Sequence, residues 1–168
     1  MQPKDWDMRF LRLAEHIASW SKDPSTQTGA VIIDDKRRIV SLGYNGLPQG
    51  VADTPERLNV REVKYKVIVH CERNALIFAQ RDLHGCTLYT WPFMSCSVCA
   101  AMVIQAGIIR VVAPFSDNPR WADDFKLSTE LFTEAGVKID LFNISIPVKD
   151  TVESIEPNRN WWRRLLNY

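Results

Sequence analysis

Three residues in a row, His70, Cys71 and Glu72, interrupt the apolar run "VIVHCERNALIFA" (67–79). Twenty-six residues after His70 comes "MSCSVCA", in which Cys96 and Cys99 are separated by two residues. At the start of a helix that spacing lets both sulfurs reach one point. Together with a histidine they make three ligands of the kind zinc prefers, and three rather than four leave one tetrahedral position for water, as in a catalytic site. A helix N-terminus also favours thiolates. Two thiolates cancel the charge of the ion and a neutral imidazole adds none, so a bound water still loses a proton near neutral pH. Glu72 is close enough in sequence to face that water without being a ligand, and it can carry a proton to a leaving nitrogen.

Other uses of these residues are open at this level. The C-x-x-C pair could be a redox dithiol, although "SCSVC" falls between two strands in the wrong order for a thioredoxin-like fold. The metal could be structural, with Cys71 or Cys86 as a fourth ligand; Cys71 is next to His70 in the chain, which makes joint ligation awkward. His70 could be a core histidine, which leaves Glu72 at a buried helix start unexplained.

The elements that must position these groups follow from periodicity. Residues 5–21 read as a helix, with Trp6, Phe10, Leu13, Ala14 and Ile17 on one face. "AVIID" (30–34) and "RIVSLGYN" (38–45) read as strands joined by a polar hairpin turn. Residues 46–66, rich in Gly, Pro and charge, read as a long loop with at most a short helical turn. A helix over 70–82, a strand over 86–91, a helix over 95–106 closed by Gly107, a strand over 108–115, a helix near 125–135 closed by Gly136, and a strand over 137–143 complete the domain. After the first hairpin, strands alternate with helices. That implies parallel pairing and a three-layer α/β/α sandwich around a five-stranded mixed sheet. The domain is expected over 1–143, and 144–168 forms an extension in which Trp161, Trp162, Leu165 and Leu166 share a face of a short helix.

Composition narrows the functions. The chain has 168 residues, is 46% hydrophobic, and carries a formal charge of +1 with acids and bases interspersed. This is no footprint for nucleic acid, which needs clustered cations. No run approaches the roughly 20 apolar residues of a membrane span, and "MQPKDWDMRF" lacks the apolar core of a signal peptide. A cytoplasmic protein with reduced thiols is the expectation, in a host cytoplasm if the source is viral.

The pattern H-x-E followed by C-x-x-C resembles the zinc-dependent cytidine and deoxycytidylate deaminases. Cys71 stands where that family usually has Ala, and Ser95 stands where Pro usually precedes the first cysteine; as a good N-cap residue, Ser95 would preserve the helix start. "SKDPSTQTGAVI" (21–32), "GYNGLP" (43–48), "HCERNA" (70–75) and "SCSVC" (95–99) occur in the order and spacing of the deoxycytidylate (dCMP) branch, a resemblance that covers roughly residues 5–143 and would suit a phage member. It implies hydrolysis of dCMP to dUMP and ammonia, feeding thymidylate synthesis. His70, Cys96 and Cys99 would hold catalytic zinc, with attack at cytosine C4 and Glu72 as proton shuttle.

Asn45, Asn74, Lys22, Ser25, Thr26 and Phe115 are then candidates for substrate contacts, and Arg110 and Arg120 are further candidates for the phosphate. For each one singly a turn, core or surface role competes. The resemblance also implies a homo-oligomer, a hexamer in many members, with dCTP as activator and dTTP as inhibitor. Gly43, Tyr44, Asn45, Gly46, Leu47 and Pro48 would form the effector region, and Mg²⁺ would accompany a triphosphate. The competing functions are another zinc deaminase, acting on cytosine, deoxycytidine or an RNA base, and a non-enzymatic zinc protein.

Overall fold

The structure is a computed structural model that describes residues 5–144. The extension read over 144–168, with its helix near Trp161 and Trp162, lies outside the described residues except for Ile144. Helix α1 (Asp5–Ala18) leads into strands β1 (Gly29–Ile33) and β2 (Ile39–Tyr44). Two short helices follow, α2 (Pro55–Asn59) and α3 (Arg61–Val67), and then α4 (Cys71–Ala79). Strand β3 (Thr87–Trp91), α5 (Ser97–Gln105), β4 (Arg110–Pro114), α6 (Ala122–Glu134) and β5 (Lys138–Phe142) finish the domain.

The sheet order is β2-β1-β3-β4-β5. β1 runs antiparallel to both of its neighbours, and β3, β4 and β5 pair parallel. The sheet is therefore mixed. The parallel pairing inferred for the strands after the hairpin holds for β3, β4 and β5, and the β1–β2 hairpin places the reversed strand β1 in the middle of the sheet rather than at an edge.

Alternation along the strands sorts side chains between two cores. Ala30, Ile32, Leu88, Val111 and Ala113 face the side that holds Cys71 and Ala75 of α4, Ala100 and Val103 of α5, and Phe132 of α6. Val31, Ile33, Tyr89 and Val112 face Phe10, Leu11, Ala14 and Ala18 of α1. Two strand glycines bring helices close on opposite faces. A Cβ on Gly29 would lie 2.1 Å from the Ala14 carbonyl oxygen, and one on Gly43 would lie 2.3 Å from that of Cys71. Any side chain at either position would push its helix off the sheet. Trp6 departs from the expected buried stripe of α1. It is half exposed, and the guanidinium groups of Arg9 and Arg37 stack on its ring at 5.1 and 5.0 Å.

Helices α5 and α6 both end at the expected glycines. Gly107 and Gly136 have φ of +82° and +72°, and in each case the backbone closes with a paired 5→2 and 6→1 bond, Gly107 N to Ile104 O with Ile108 N to Val103 O, and Gly136 N to Thr133 O with Val137 N to Phe132 O. The segment read as a long loop is largely helical instead. Thr54 caps α2 by accepting from the Arg57 amide, with Pro55 at the first helical position. Among the described residues no helix is long and apolar enough to cross a membrane.

Candidate active site

The parallel strands β2, β3 and β4 end at one edge of the sheet, and the N-termini of α4 and α5 start there, which is where α/β sheets place their ligand sites. The chain entering α4 is pinned by a two-bond bridge: Gly46 N donates to Val69 O at 3.0 Å and Val69 N to Gly46 O at 2.8 Å. That bridge fixes the next residue, His70, as the N-cap of α4. Cys96 is the N-cap of α5 and Cys99 lies in its first turn.

His70 Nδ1 is 3.5 Å from Cys96 Sγ and 3.4 Å from Cys99 Sγ. The three candidate ligand atoms all lie within 4.8 Å of one another. Nitrogen and sulfur at about 2.1 and 2.3 Å from a tetrahedral ion would stand about 3.6 Å apart, so these atoms already have the spacing of a zinc set. As protein groups alone they share protons. The Cys99 thiol, by hydrogen bonding to Cys96, draws the Cys96 thiol down to about 4. The same bond, together with burial, pushes Cys99 up. The hydrogen bond to Cys96 raises His70 against the effect of burial. Neither Cys71 nor Cys86 belongs to this cluster.

Ser95 is not the cap that its residue type suggested. It precedes the N-cap, and its buried Oγ has no hydrogen-bond partner among the described residues. The α5 start is closed instead by Asp124 of α6, which accepts from Ser97 N at 3.1 Å and Ser97 Oγ at 2.6 Å. A carboxylate there also suits the positive end of the helix.

Glu72 is buried in the same cleft, on the first turn of α4. One of its carboxylate oxygens accepts the Cys71 S–H at 3.3 Å. Burial, followed by the neighbouring Glu72 charge, pushes the Cys71 thiol well up, so it stays protonated and can donate. Cys71, which stands where the resembled family usually has Ala, therefore touches the Glu72 carboxylate.

The cleft also brings together groups that the sequence did not mark. Phe93, Met94, Trp121 and Phe125 form an aromatic and apolar wall. Phe93 lies 5.6 Å from Phe125 and 6.4 Å from Trp121, centroid to centroid. Such a wall suits one face of a flat ring. Lys64 and Tyr65 of α3 and Ile68 line the cleft as well. Lys64 is the one residue that α3 buries. It donates to Asp23 Oδ1 at 2.8 Å and to Ser25 Oγ.

The expected substrate residues divide. Ser25, Thr26 and Asn45 line the cleft. The Asn45 amide is spent on the 21–28 segment: its Nδ2 donates to Asp23 Oδ2 and the Thr26 carbonyl, and its Oδ1 accepts from Thr28 N. Asn74 lies outside the cleft and ties α4 to the end of β2 by donating to the Tyr44 carbonyl at 2.7 Å. Lys22 is solvent-exposed, paired with Asp53 at 2.6 Å, and not part of the cleft. Phe115 is exposed and lines a neighbouring groove with Lys126 and Leu141. Arg110 is on the opposite face of the sheet, held by Asp7 and Asp140. In "GYNGLP", Gly43 is pressed against α4 and Gly46 forms the bridge to Val69, while Tyr44 and Pro48 face solvent.

Residues 4–114 match the family model described as the cytidine and deoxycytidylate deaminase zinc-binding region. An uncharacterized deaminase of Aliivibrio fischeri is 44% identical over 144 residues, covering 84% of this chain and 96% of that protein. The deoxycytidylate deaminase of Homo sapiens is 37% identical over 144 residues, covering 82% of this chain and 80% of its own length. The fold matches the crystal structure of the dCMP deaminase of cyanophage S-TIM5 in complex with dCMP and dUMP, with a TM-score of 0.67 at 21% identity, covering 84% of this chain and all of that one.

Proposed function

Because the chain belongs to the cytidine and deoxycytidylate deaminase family, we propose that it hydrolyses dCMP to dUMP and ammonia, with zinc held by His70, Cys96 and Cys99. The observation that carries this reading is the meeting, in one aromatic-walled cleft, of that ligand triad with the buried carboxylate of Glu72. Zinc, when bound there, supplies a Lewis acid that makes a water acidic enough to act as nucleophile near neutral pH.

The chain's own residues do the rest. Glu72 would hold and move the protons that pass between the attacking water, the ring nitrogen N3 and the departing amine, so that dCMP and water become dUMP and ammonia with nothing left over. Its burial, at 5% exposure, keeps the proton within the cleft instead of losing it to solvent. Phe93, Trp121 and Phe125 hold the flat ring and exclude water. Asn45 shapes the cleft by fixing the 21–28 segment, which supports Ser25 and Thr26 as the substrate-facing part of that loop.

The reading extends to regulation and assembly. A homo-hexamer activated by dCTP and inhibited by dTTP, with Mg²⁺ on the triphosphate, is the family-based expectation. Tyr44, Leu47 and Pro48 are the parts of the 43–48 segment free to meet an effector. If either nucleotide is an effector, it shifts the dCMP saturation curve; unchanged curves with both remove this extension.

The main test compares dCMP, deoxycytidine, cytosine and an RNA hairpin as substrates of the zinc-loaded protein. Selective ammonia release from dCMP is the expected result. Preference for another substrate moves the protein to a different branch, and zinc binding without turnover of any makes it a non-enzymatic zinc protein.

A further inference from the structure

A nucleotide differs from a nucleoside by a phosphate dianion, and the cleft must neutralise it. Two cationic side chains line the cleft, Lys64 and Arg120. Lys64 is already matched: its side chain is 8% exposed and its ammonium sits on the buried carboxylate of Asp23. Burial pushes the Asp23 carboxyl up, but the Lys64 hydrogen bond and those from Ser25 and Thr26 outweigh it and hold Asp23 below the usual carboxylate range. Lys64 is thus already committed to Asp23 and Ser25. Lys22 and Arg110 are paired and lie outside the cleft.

Arg120 is different, and it stands exposed at the cleft rim. Among the described residues its guanidinium has no carboxylate partner and no side-chain hydrogen bond. It is held only by aromatic faces, 5.7 Å from the Tyr65 ring centre on α3 and 4.9 Å from that of Trp121, the N-cap of α6. Stacking of this kind fixes the planar cation through its π faces and leaves its N–H groups for a ligand. A planar, pre-positioned fork with five free donors is the side chain best matched to a phosphate.

We propose that Arg120 recognises the 5′-phosphate of the substrate and sets the preference for a nucleoside monophosphate over a nucleoside. This rests on the deaminase reading above and deepens it.

The test is a two-substrate comparison, kcat and KM for dCMP and for deoxycytidine, with the wild type, Arg120→Ala and Arg120→Lys. Removing a charge-assisted contact of this kind lowers kcat/KM for dCMP by about 10- to 100-fold. The loss falls mainly in KM, and deoxycytidine stays within about twofold. Arg120→Lys falls between, because an ammonium keeps the charge and loses the fork. Calorimetric binding of dUMP and deoxyuridine to zinc-loaded protein gives the same contrast without turnover. Equal losses on both substrates would reduce Arg120 to a packing role at the cleft mouth, and an unchanged dCMP value would overturn the proposal outright. Wild-type protein that turns over neither substrate and binds dUMP no better than deoxyuridine would instead sink the deaminase reading, and this proposal with it.

Discussion

The two faces of the sheet both bury charge, and apart from the Lys64–Asp23 pair they treat it in different ways. On the α1 face, Arg110 makes a bidentate pair with Asp7 at 2.9 and 3.0 Å and bonds Asp140 at 2.6 Å. Tyr89 adds its hydroxyl to Asp7 at 2.7 Å, and Lys138 reaches Asp140 at 3.0 Å. Charge is matched by charge within the network. On the other face, the cleft holds two sulfurs and an imidazole crowded within 4.8 Å, a buried carboxylate bonded among the described residues by a single thiol and, at the exposed rim, an arginine held among those residues by rings alone; beside Cys96 the buried Ser95 hydroxyl has no partner among them. Unspent hydrogen-bonding capacity in a buried place is costly unless a ligand completes it. The saturated face is read as structural and the unsaturated one as the place for the proposed chemistry.

The contrast breaks most sharply at the metal ligands. Cys99→Ala removes one of the three proposed ligands, so bound zinc, measured by elemental analysis, should fall to a small fraction and turnover should vanish with it. Next comes Glu72→Gln, which keeps shape and ligands and removes the proton carrier. Turnover should fall by about 10²- to 10⁴-fold with zinc retained. Undiminished turnover would refute the role assigned to Glu72.

Arg110→Met should show the reverse signature. It takes from Asp7 its bidentate cation and leaves Asp140 with Lys138 alone, a loss of about 3–5 kcal/mol, or roughly 10 °C in Tm for a chain of this size, while kcat per zinc-loaded molecule stays unchanged. A fall in kcat at full zinc occupancy would mean that the α1 face does more than support the sheet.

The same face should carry acid sensitivity. Burial raises the Asp140 carboxyl, but hydrogen bonds from Lys138 and Arg110 bring it below its ordinary value. Its folded-state pKa thus lies under the unfolded value of about 3.9. The stability it lends is complete above about pH 4 and is lost as the pH falls from there towards the lower folded value. Thermal melts of wild type and Arg110→Met should therefore converge below pH 4.

Much of this division was legible in the sequence, and the exceptions have physical causes. The strands, the two glycine-closed helices and the His/Cys/Cys set depend on local spacing, and spacing is what a sequence displays. Helices α2 and α3 escaped because α2 buries nothing and α3 buries only Lys64, so neither shows an apolar period; Thr54-Pro55 was the remaining signal. Arg110 and Arg120 were equally eligible as phosphate ligands. Only the fold turns Arg110 onto Asp7, which is 103 residues away in the chain. The Asp124 cap on α5 likewise joins residues 27 apart, so no local rule marks it. The aromatic wall comes from the β3–α5 connection and the start of α6, and each of its members alone reads as an ordinary core residue.

Cys71 provides the finest probe of the contrast, because it belongs to both kinds of surroundings. Its sulfur is 2% exposed and packs with Ala30, Ala75 and the rest of the core beneath α4, while its S–H reaches Glu72. If the bond only fills space, Cys71→Ala lowers Tm slightly and leaves kcat alone. If it steadies the carboxylate, kcat falls with KM unchanged, and Cys71→Ser, which keeps a donor at nearly the same place, recovers most of the loss. A weak S–H bond contributes about 0.5–1 kcal/mol, so the expected fall in kcat for Cys71→Ala is about two- to fivefold. The serine rescue decides, because a change in packing volume alone would treat alanine and serine alike. An alanine variant as fast as wild type would place Cys71 with the saturated, structural half of the molecule and leave Glu72 oriented by its helix alone.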